Sequence, residues 1–537
     1  MSTSTAVSHA PGAPHAAEAH GAPASETAAV ESSRGKLPWI IASLMLTMLM
    51  SSLGQMIFST ALPTIVGELG GVDHMSWVIT GFLLGQTISL PIFGKLGDQL
   101  GRKGLFLFAN GLFVIGSVIG GFATSMATLI TARVLQGIAG GGMMILSQAI
   151  TAEVTTPRER GKYMGIMGSA FAVSAVLGPV LGGWFTDGPG WRWGLWLNVP
   201  LGIIAITAIA FLLHLPHARR TFTLDWAGTV TMAIATAALV LVTTWGGGEY
   251  EWTDPVIVSL IGVTVVVGAL FVFIELRVDN PLVPIRYFAH RNFVLTTISG
   301  FGIGIFMFGS LAYFPTYLQM VHELSPTTAG LMLLWMMVGV MGTSIVVGAL
   351  VSRTGRYKGF PIVGLLIVAV GLWLMSRMTV DASLTSVGVR IFVLGFGIGC
   401  AMQVLVLIVQ NSFSVREVGT VTAANNFFRQ IGGCVGSALV GGLFVSNMTG
   451  LIAERLPEAL ASMGEAALGA QEQLQHLDTS KLTPQLVASL DEPIKLAIQS
   501  SYNDALTPIF LLLAPVAVVC ALILVGLRAD RLKETIS

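Results

Sequence analysis

Apolar and polar residues fall along this chain in long blocks. Fourteen apolar stretches, residues 38–62, 76–93, 104–124, 127–150, 162–186, 194–214, 225–245, 255–275, 293–320, 327–351, 360–376, 386–410, 420–447 and 506–527, are separated by polar segments. A run of about 20 apolar residues covers a hydrocarbon core of about 30 Å at about 1.5 Å per residue. The blocks therefore predict an all-α integral membrane protein with 14 transmembrane helices. Pro63, Pro91, Pro179, Pro200 and Pro315 fall in or at the ends of these stretches, where bundles tolerate them if neighbours satisfy the freed carbonyls.

Charge says which side each loop faces. With the N-terminus inside, 20 Lys and Arg lie on the inner side and 5 on the outer, leaving Arg133, Arg390 and Arg429 within spans. Short loops rich in base stay cytoplasmic, so a multi-pass protein of the plasma membrane with both termini cytoplasmic is expected. Residues 1–37 read as a disordered cytoplasmic tail and 528–537 as a second, short one. His9, His15 and His20 in the first tail could ligate a metal, although composition-biased tails usually bind nothing.

Only 10% of the 537 residues are charged, against about 25% in soluble domains, so no large soluble domain is present. Twenty-eight bases balance 28 acids, which argues against a nucleic-acid partner. Cys400, Cys434 and Cys520 lie inside apolar runs at unrelated spacings, unlike a metal site or disulfide framework. No phosphate-binding GxxxxGK[ST], HExxH or GxSxG pattern occurs, so neither a cofactor nor enzyme chemistry is expected.

The chain also repeats itself. Gly94-x-Leu96-x-Asp98-x-x-Gly101-Arg102 returns as Gly348-x-Leu350-x-Ser352-x-x-Gly355-Arg356. Arg133, Gly140 and Gly142 return as Arg390, Gly397 and Gly399, and Gly182-Gly183 as Gly441-Gly442. The offsets, 254 to 259 residues, pair spans 1–6 with spans 9–14. The expected organisation is a six-helix half over 38–214, an inserted hairpin over 225–275, and a second half over 293–527. Repeats related by an axis along the membrane normal, with a site between them, suit alternating access.

Residues 94–103, the stretch from Leu129 to Gly142 with Arg133, Gln136 and Gly137, and Gly178-Pro179-x-x-Gly182-Gly183 together resemble the major facilitator superfamily, specifically its fourteen-helix drug:proton antiporters of the multidrug exporter type. Trp191-Arg192-Trp193, Asn198-Val199-Pro200, Asp225-Trp226-Ala227-Gly228 and the segment from Pro281-Leu282 to Phe288 add to the likeness. The resemblance implies two six-helix halves plus an inserted two-helix hairpin, a small amphiphilic organic substrate, protons as the driving ion and the lipid bilayer as surroundings. A monomer is expected. Export of an endogenous lipid, siderophore or secondary metabolite, and a transport-inactive sensor or assembly protein, stand as alternatives. The first helix departs from the family pattern: Gly54 stands where an acid is usual.

The candidate residues follow. Gly94, Asp98, Gly101, Arg102, Lys103 and Glu153 form an expected latch at one end of the bundle, in which Asp98 can cap helix amides and Arg102 can reach Glu153. The same bases also serve orientation. Arg133 and Gln136, with Asn425, Asn426, Arg429 and Gln430, are candidates for substrate or proton handling, since charge within a span is functional by default. Gly178, Pro179, Gly182 and Gly183 read as a hinge where the halves meet, or as close helix packing. No acid falls deep in a span, so a coupling carboxylate must lie near a mouth of the cavity, with Asp225 and Glu68 as candidates or as plain span-end residues. Residues 448–505 are expected to place amphipathic helices on the outer surface, with a lid or docking element as the alternative.

Overall fold

The computed structural model describes residues 35–70, 74–215, 223–247, 249–462, 487, 489–528 and 532. Most of both tails, with the three N-terminal histidines, and residues 463–486 of the outer segment lie outside the described residues.

Fourteen long helices correspond to the fourteen apolar blocks. They are α1 (Leu37–Leu69), α2 (Met75–Leu100), α3 (Arg102–Gly121), α4 (Met126–Val154), α5 (Pro157–Asp187), α6 (Asn198–Leu212), α7 (Trp226–Trp245), α8 (Pro255–Glu275), α9 (Arg291–Val321), α10 (Pro326–Thr354), α11 (Gly359–Met375), α12 (Leu384–Ser412), α13 (Val418–Ser462) and α14 (Glu492–Val525). Thirteen are long and apolar enough to cross a membrane, counting the turn Trp193–Trp196 with α6; α11, at 17 residues, is slightly shorter. Polar caps set several starts: Ser125, Asp225, Asp254, Ser325 and Ser383 each accept a backbone N–H of the following helix, and Thr156 with Glu159 forms a reciprocal capping box. Such caps satisfy amides that the first turn leaves unpaired.

Packing repeats as the sequence does. In the first half α1 packs on α5, and α2 and α3 on α4; in the second, α9 packs on α13, and α10 and α11 on α12. Met48, Phe82, Phe106 and Phe113 lie in the first core, and Phe306, Tyr317, Leu394 and Phe510 in the second. The halves meet along two seams, α2 against α13 and α5 against α10. Helix α7 packs on α8 and also on α2 and α13, so the hairpin lies beside the first seam. Helix α8 turns Val258, Val265, Val266 and Leu270 outward, a surface that suits hydrocarbon.

Two local expectations need correction. Residues 94–103 are not a loop: α2 runs through Leu100, α3 starts at Arg102, and Gly101 alone connects them at φ +93°. That left-handed angle favours glycine. The described parts of 448–505 are not separate surface helices either. Helix α13 continues to Ser462 and α14 begins at Glu492, so the amphipathic pieces are extensions of spanning helices. At 45 residues α13 is about 68 Å long, far more than a bilayer core requires. Between the extensions lies a cavity of about 460 Å³, with Asp381, Arg455, Glu458 and Ser500 in its lining.

Candidate functional site

At the end carrying the basic loops, the first seam is held by an acid. Asp98, in the last turn of α2, accepts hydrogen bonds from the backbone N–H of Gly419 at 3.0 Å and of Thr420 at 2.7 Å, and from the Thr420 hydroxyl at 2.8 Å. Those amides open α13, whose N-terminus carries partial positive charge. Arg102 donates to Asp98 and to Glu153, both at 2.8 Å, and to the Val415 carbonyl at 2.6 Å. Helices α2, α3 and α4 of one half and the start of α13 in the other thus share one buried charge cluster. Gly94 makes the approach possible: a β-carbon there would stand 2.8 Å from the Gly419 carbonyl oxygen and closer still to Ala423. Lys103, expected in the same latch, points elsewhere and donates to the Ala210 carbonyl at 2.8 Å.

Behind the cluster runs a network of amide side chains into which two arginines donate. Asn426 of α13 donates to the Gln148 side chain of α4 at 3.0 Å, and Gln410 of α12 donates to the Gln148 carbonyl at 3.4 Å and to Thr422 at 3.2 Å. Arg429 donates to Asn426. Asn425 turns instead to Thr297 of α9, at 3.3 Å, within its own half. Gln430 is half-buried beside them. Arg160 of α5 is buried and donates to the Ala152 carbonyl at 2.6 Å and to Gln410 at 3.5 Å.

The second seam is built differently. Gly161 and Gly165 of α5 face Gly348 and Ser344 of α10 backbone to backbone; a β-carbon on Gly348 would stand 3.3 Å from the Gly165 α-carbon. Arg158, in the first turn of α5, donates to the carbonyls of Ser352 at 2.9 Å and Arg353 at 2.8 Å, at the C-terminal end of α10. An arginine on helix carbonyls replaces an acid on helix amides. All of these cross-half bonds lie toward the basic loops, so the bundle is closed at that end.

Arg133 is wholly buried in the first half, its guanidinium between the rings of Phe58 and Phe82 at 4.3 and 4.4 Å. It donates to the carbonyls of Gly54 at 2.8 Å and Val78 at 3.2 Å and to Gln136 at 3.0 Å, and Gln136 donates to Ser117 at 2.8 Å. Its second terminal nitrogen has no hydrogen-bond partner. The Gly54 backbone therefore occupies the place of the missing acid and offers an oxygen, but no negative charge.

The sequence profile of the Major Facilitator Superfamily matches residues 44–437. The chain belongs to the major facilitator superfamily. It is 38% identical over 490 residues to an uncharacterised MFS-type transporter of Mycobacterium tuberculosis, covering 91% of this chain and 69% of that one. It is 32% identical to the multidrug transporter protein MdtP of Bacillus subtilis, covering 89% and 91%. The crystal structure of the human organic anion transporter MFSD10 shares the fold with a TM-score of 0.59 at 15% identity, covering 91% and 99%. The protein is thus a multi-pass membrane transporter and not an enzyme.

Within this superfamily fold the remaining candidates separate. Gly178 packs on Met56 of α1, where a β-carbon would stand 3.3 Å from the Met56 backbone. That contact is inside the first half, while α5 meets the other half from Gly161 and Gly165 through Gly168 to Ala172. Pro179 lies within the unbroken α5, Gly182 accepts from Thr186 at 2.6 Å, and Gly183 has open space around its α-carbon. The glycine–proline motif thus packs α5 on α1, one turn beyond Ala172, Ala175 and Val176, which lie against the core of the second half. Glu68, past the far end of span 1, accepts from Arg192 at 2.6 Å and from the Trp191 indole at 2.8 Å. These bonds hold its carboxyl below the ordinary range, which suits a strut more than a group trading protons near neutrality. Asp225 caps α7 beside a second buried acid, Glu275. Sequence reading missed the roles of Gln148, Arg158, Arg160 and Gln410; the two arginines were visible only as loop charge.

Proposed function

We propose that this chain is a secondary active exporter of small amphiphilic organic compounds, driven by the proton gradient, in the plasma membrane with both termini cytoplasmic. The carrying observation is the Asp98–Arg102–Glu153 cluster seated on the N-terminus of α13. It joins the two halves at one end only, through bonds that a rocking motion would break together. With the basic loops inside, the closed end is cytoplasmic and the state faces outward. Reorientation then requires the cluster to open, so the seam sets the balance between the two states. The similarity to a multidrug transporter supports an amphiphilic substrate.

Efflux from proteoliposomes under an imposed pH gradient, screened over cationic dyes and extracted native lipids, tests this reading. Gradient-dependent dye export is the expected result. Export of lipid alone would move the substrate class to an endogenous compound, and absence of any transport would leave the sensor reading.

A further inference from the structure

Neither seam uses Asp225, Gly228 or Leu282, yet the fold brings them to one point through Glu275. The Asp225 Oδ1 accepts the Gly228 N–H at 2.8 Å. Glu275, the last residue of α8, is 3% exposed, and its two oxygens accept the backbone N–H groups of Leu282 at 3.1 Å and Val283 at 2.9 Å. Both carboxylates lean on the bare backbone of Gly228. A β-carbon there would stand 2.7 Å from Oε1 of Glu275 and 2.9 Å from Cγ of Asp225, with Oδ2 closer still. The facing oxygens therefore lie within about 5 Å of each other, a separation at which like charges oppose double ionisation.

One atom of the pair is unsatisfied. Oδ2 of Asp225 is buried without a hydrogen-bond partner, in a residue only 9% exposed. A buried charged oxygen without a donor is costly, whereas a proton on it removes the charge. Both oxygens of Glu275 already receive amide donors, whereas Oδ2 of Asp225 receives none, so the pair has room for one proton between its facing oxygens. The charged groups on the neighbouring elements are few. Lys95 of α2 stands within electrostatic reach of Glu275, Asp98 and Glu417. Glu417, ahead of α13, is ion-paired with Arg286 of the segment that leads to α9.

We propose that Asp225 and Glu275 form a proton-binding site, holding one proton between them where the hairpin meets α2. Lys95 and Asp98 lie one helical turn apart on α2, so opening the first seam displaces Lys95 relative to Glu275. The O–H bond of the protonated carboxyl then breaks, the proton passes to water at the basic end, and the electron pair stays on the carboxylate. The exchange role rests on the proton-driven exporter reading; the existence of the site does not.

Infrared difference spectra of the full chain in nanodiscs, titrated between about pH 5 and pH 8, read the proton directly through the C=O stretch of a protonated carboxylic acid. The wild type should show this band at neutral pH. Asp225→Asn, which keeps an α7 cap, and Glu275→Gln, which keeps an amide acceptor, should each lose it. Lys95→Gln removes a cation that favours ionisation, so its band should persist to higher pH, by about one unit. In proteoliposomes, Asp225→Asn should lose the response of ethidium efflux to a pH gradient while ethidium counterflow continues. A wild type without the band across this range overturns the site. A band lost in both variants with the gradient response intact overturns the exchange role. A wild type that ignores the gradient sinks the antiport reading instead, and the infrared arm still decides the site.

Discussion

The two seams are related by the internal repeat, yet they are held by opposite means. Asp98 in the α2/α13 seam corresponds to Ser352 in the α5/α10 seam, and the structure shows what that exchange changes. Asp98 binds the amides of α13 with its side chain and is itself tied to Arg102. Ser352 contributes only its carbonyl, taken by Arg158. The first seam has a charged side chain that can be displaced or paired elsewhere. The second is glycine against glycine, with an arginine closing a helix end. Close backbone packing has little to switch; a buried ion cluster has a great deal, because removing one partner costs about 3–5 kcal/mol. On the alternating-access reading proposed above, the first seam is the point of control and the second the pivot.

The comparison breaks most sharply at Asp98 and Arg102. Asp98→Asn or Arg102→Ala should lower efflux at least tenfold at equal abundance, since a loss of about 3 kcal/mol shifts a two-state balance by about a hundredfold. Cross-linking of introduced cysteine pairs across the cytoplasmic end should fall in parallel. Wild-type efflux in either variant would remove the latch.

Arg133→Ala comes next. It removes a wholly buried cation that ties α4 to α1 and α2 through the carbonyls of Gly54 and Val78, so a loss of roughly tenfold is expected in the same assay. Arg133→Lys should fall between, because it keeps charge but cannot serve several acceptors in one plane. Its repeat mate is the control: Arg390→Ala should cost less, and equal losses would assign both arginines to packing.

Ser352→Ala should leave efflux within about twofold of wild type, because the second seam uses the backbone there. A large loss would show that the two seams share their chemistry. The smallest effect belongs to Glu68→Gln. Its folded-state carboxyl lies below the ordinary value, held mainly by Arg192, so its contribution is present above that ordinary value and lost only as pH falls through the lowered one. Between about pH 6 and pH 8 it stays ionised, and the pH profile of transport should match wild type. The pair is largely exposed, so thermal stability should shift little.

Much of this was legible in the chain. Hydropathy found all fourteen helices, because a spanning helix must be apolar over a fixed length. The link from Asp98 through Arg102 to Glu153 was legible because all three fall at helix ends on one side, where topology alone brings them together. Asp225 and Glu275 are 50 residues apart, and only the return of α8 beside α7 makes them neighbours; each alone looks like a span end. The glycine spacing at Gly178 announced close packing but not its partner, Met56 of α1, because spacing reports closeness and not the identity of the neighbouring helix. The extensions of α13 and α14 were hidden since a helix does not stop where its residues become polar; its backbone bonds continue past the bilayer.

The hairpin gives this pseudo-symmetric bundle a front and a back in the plane of the bilayer. Helix α7 lies on α2 and α13, with Met232 packed against Phe427 and Leu282, and Trp77 meeting Trp245 edge to face. The α5/α10 side has no corresponding wall among the described helices. A molecule dissolved in the lipid therefore meets two unlike flanks: one shuttered by two extra helices, the other formed by the outer faces of α5 and α10, where Val180, Ile345, Val346 and Leu350 are exposed. Seen from the membrane, the two flanks of the transporter are unlike, although its halves repeat.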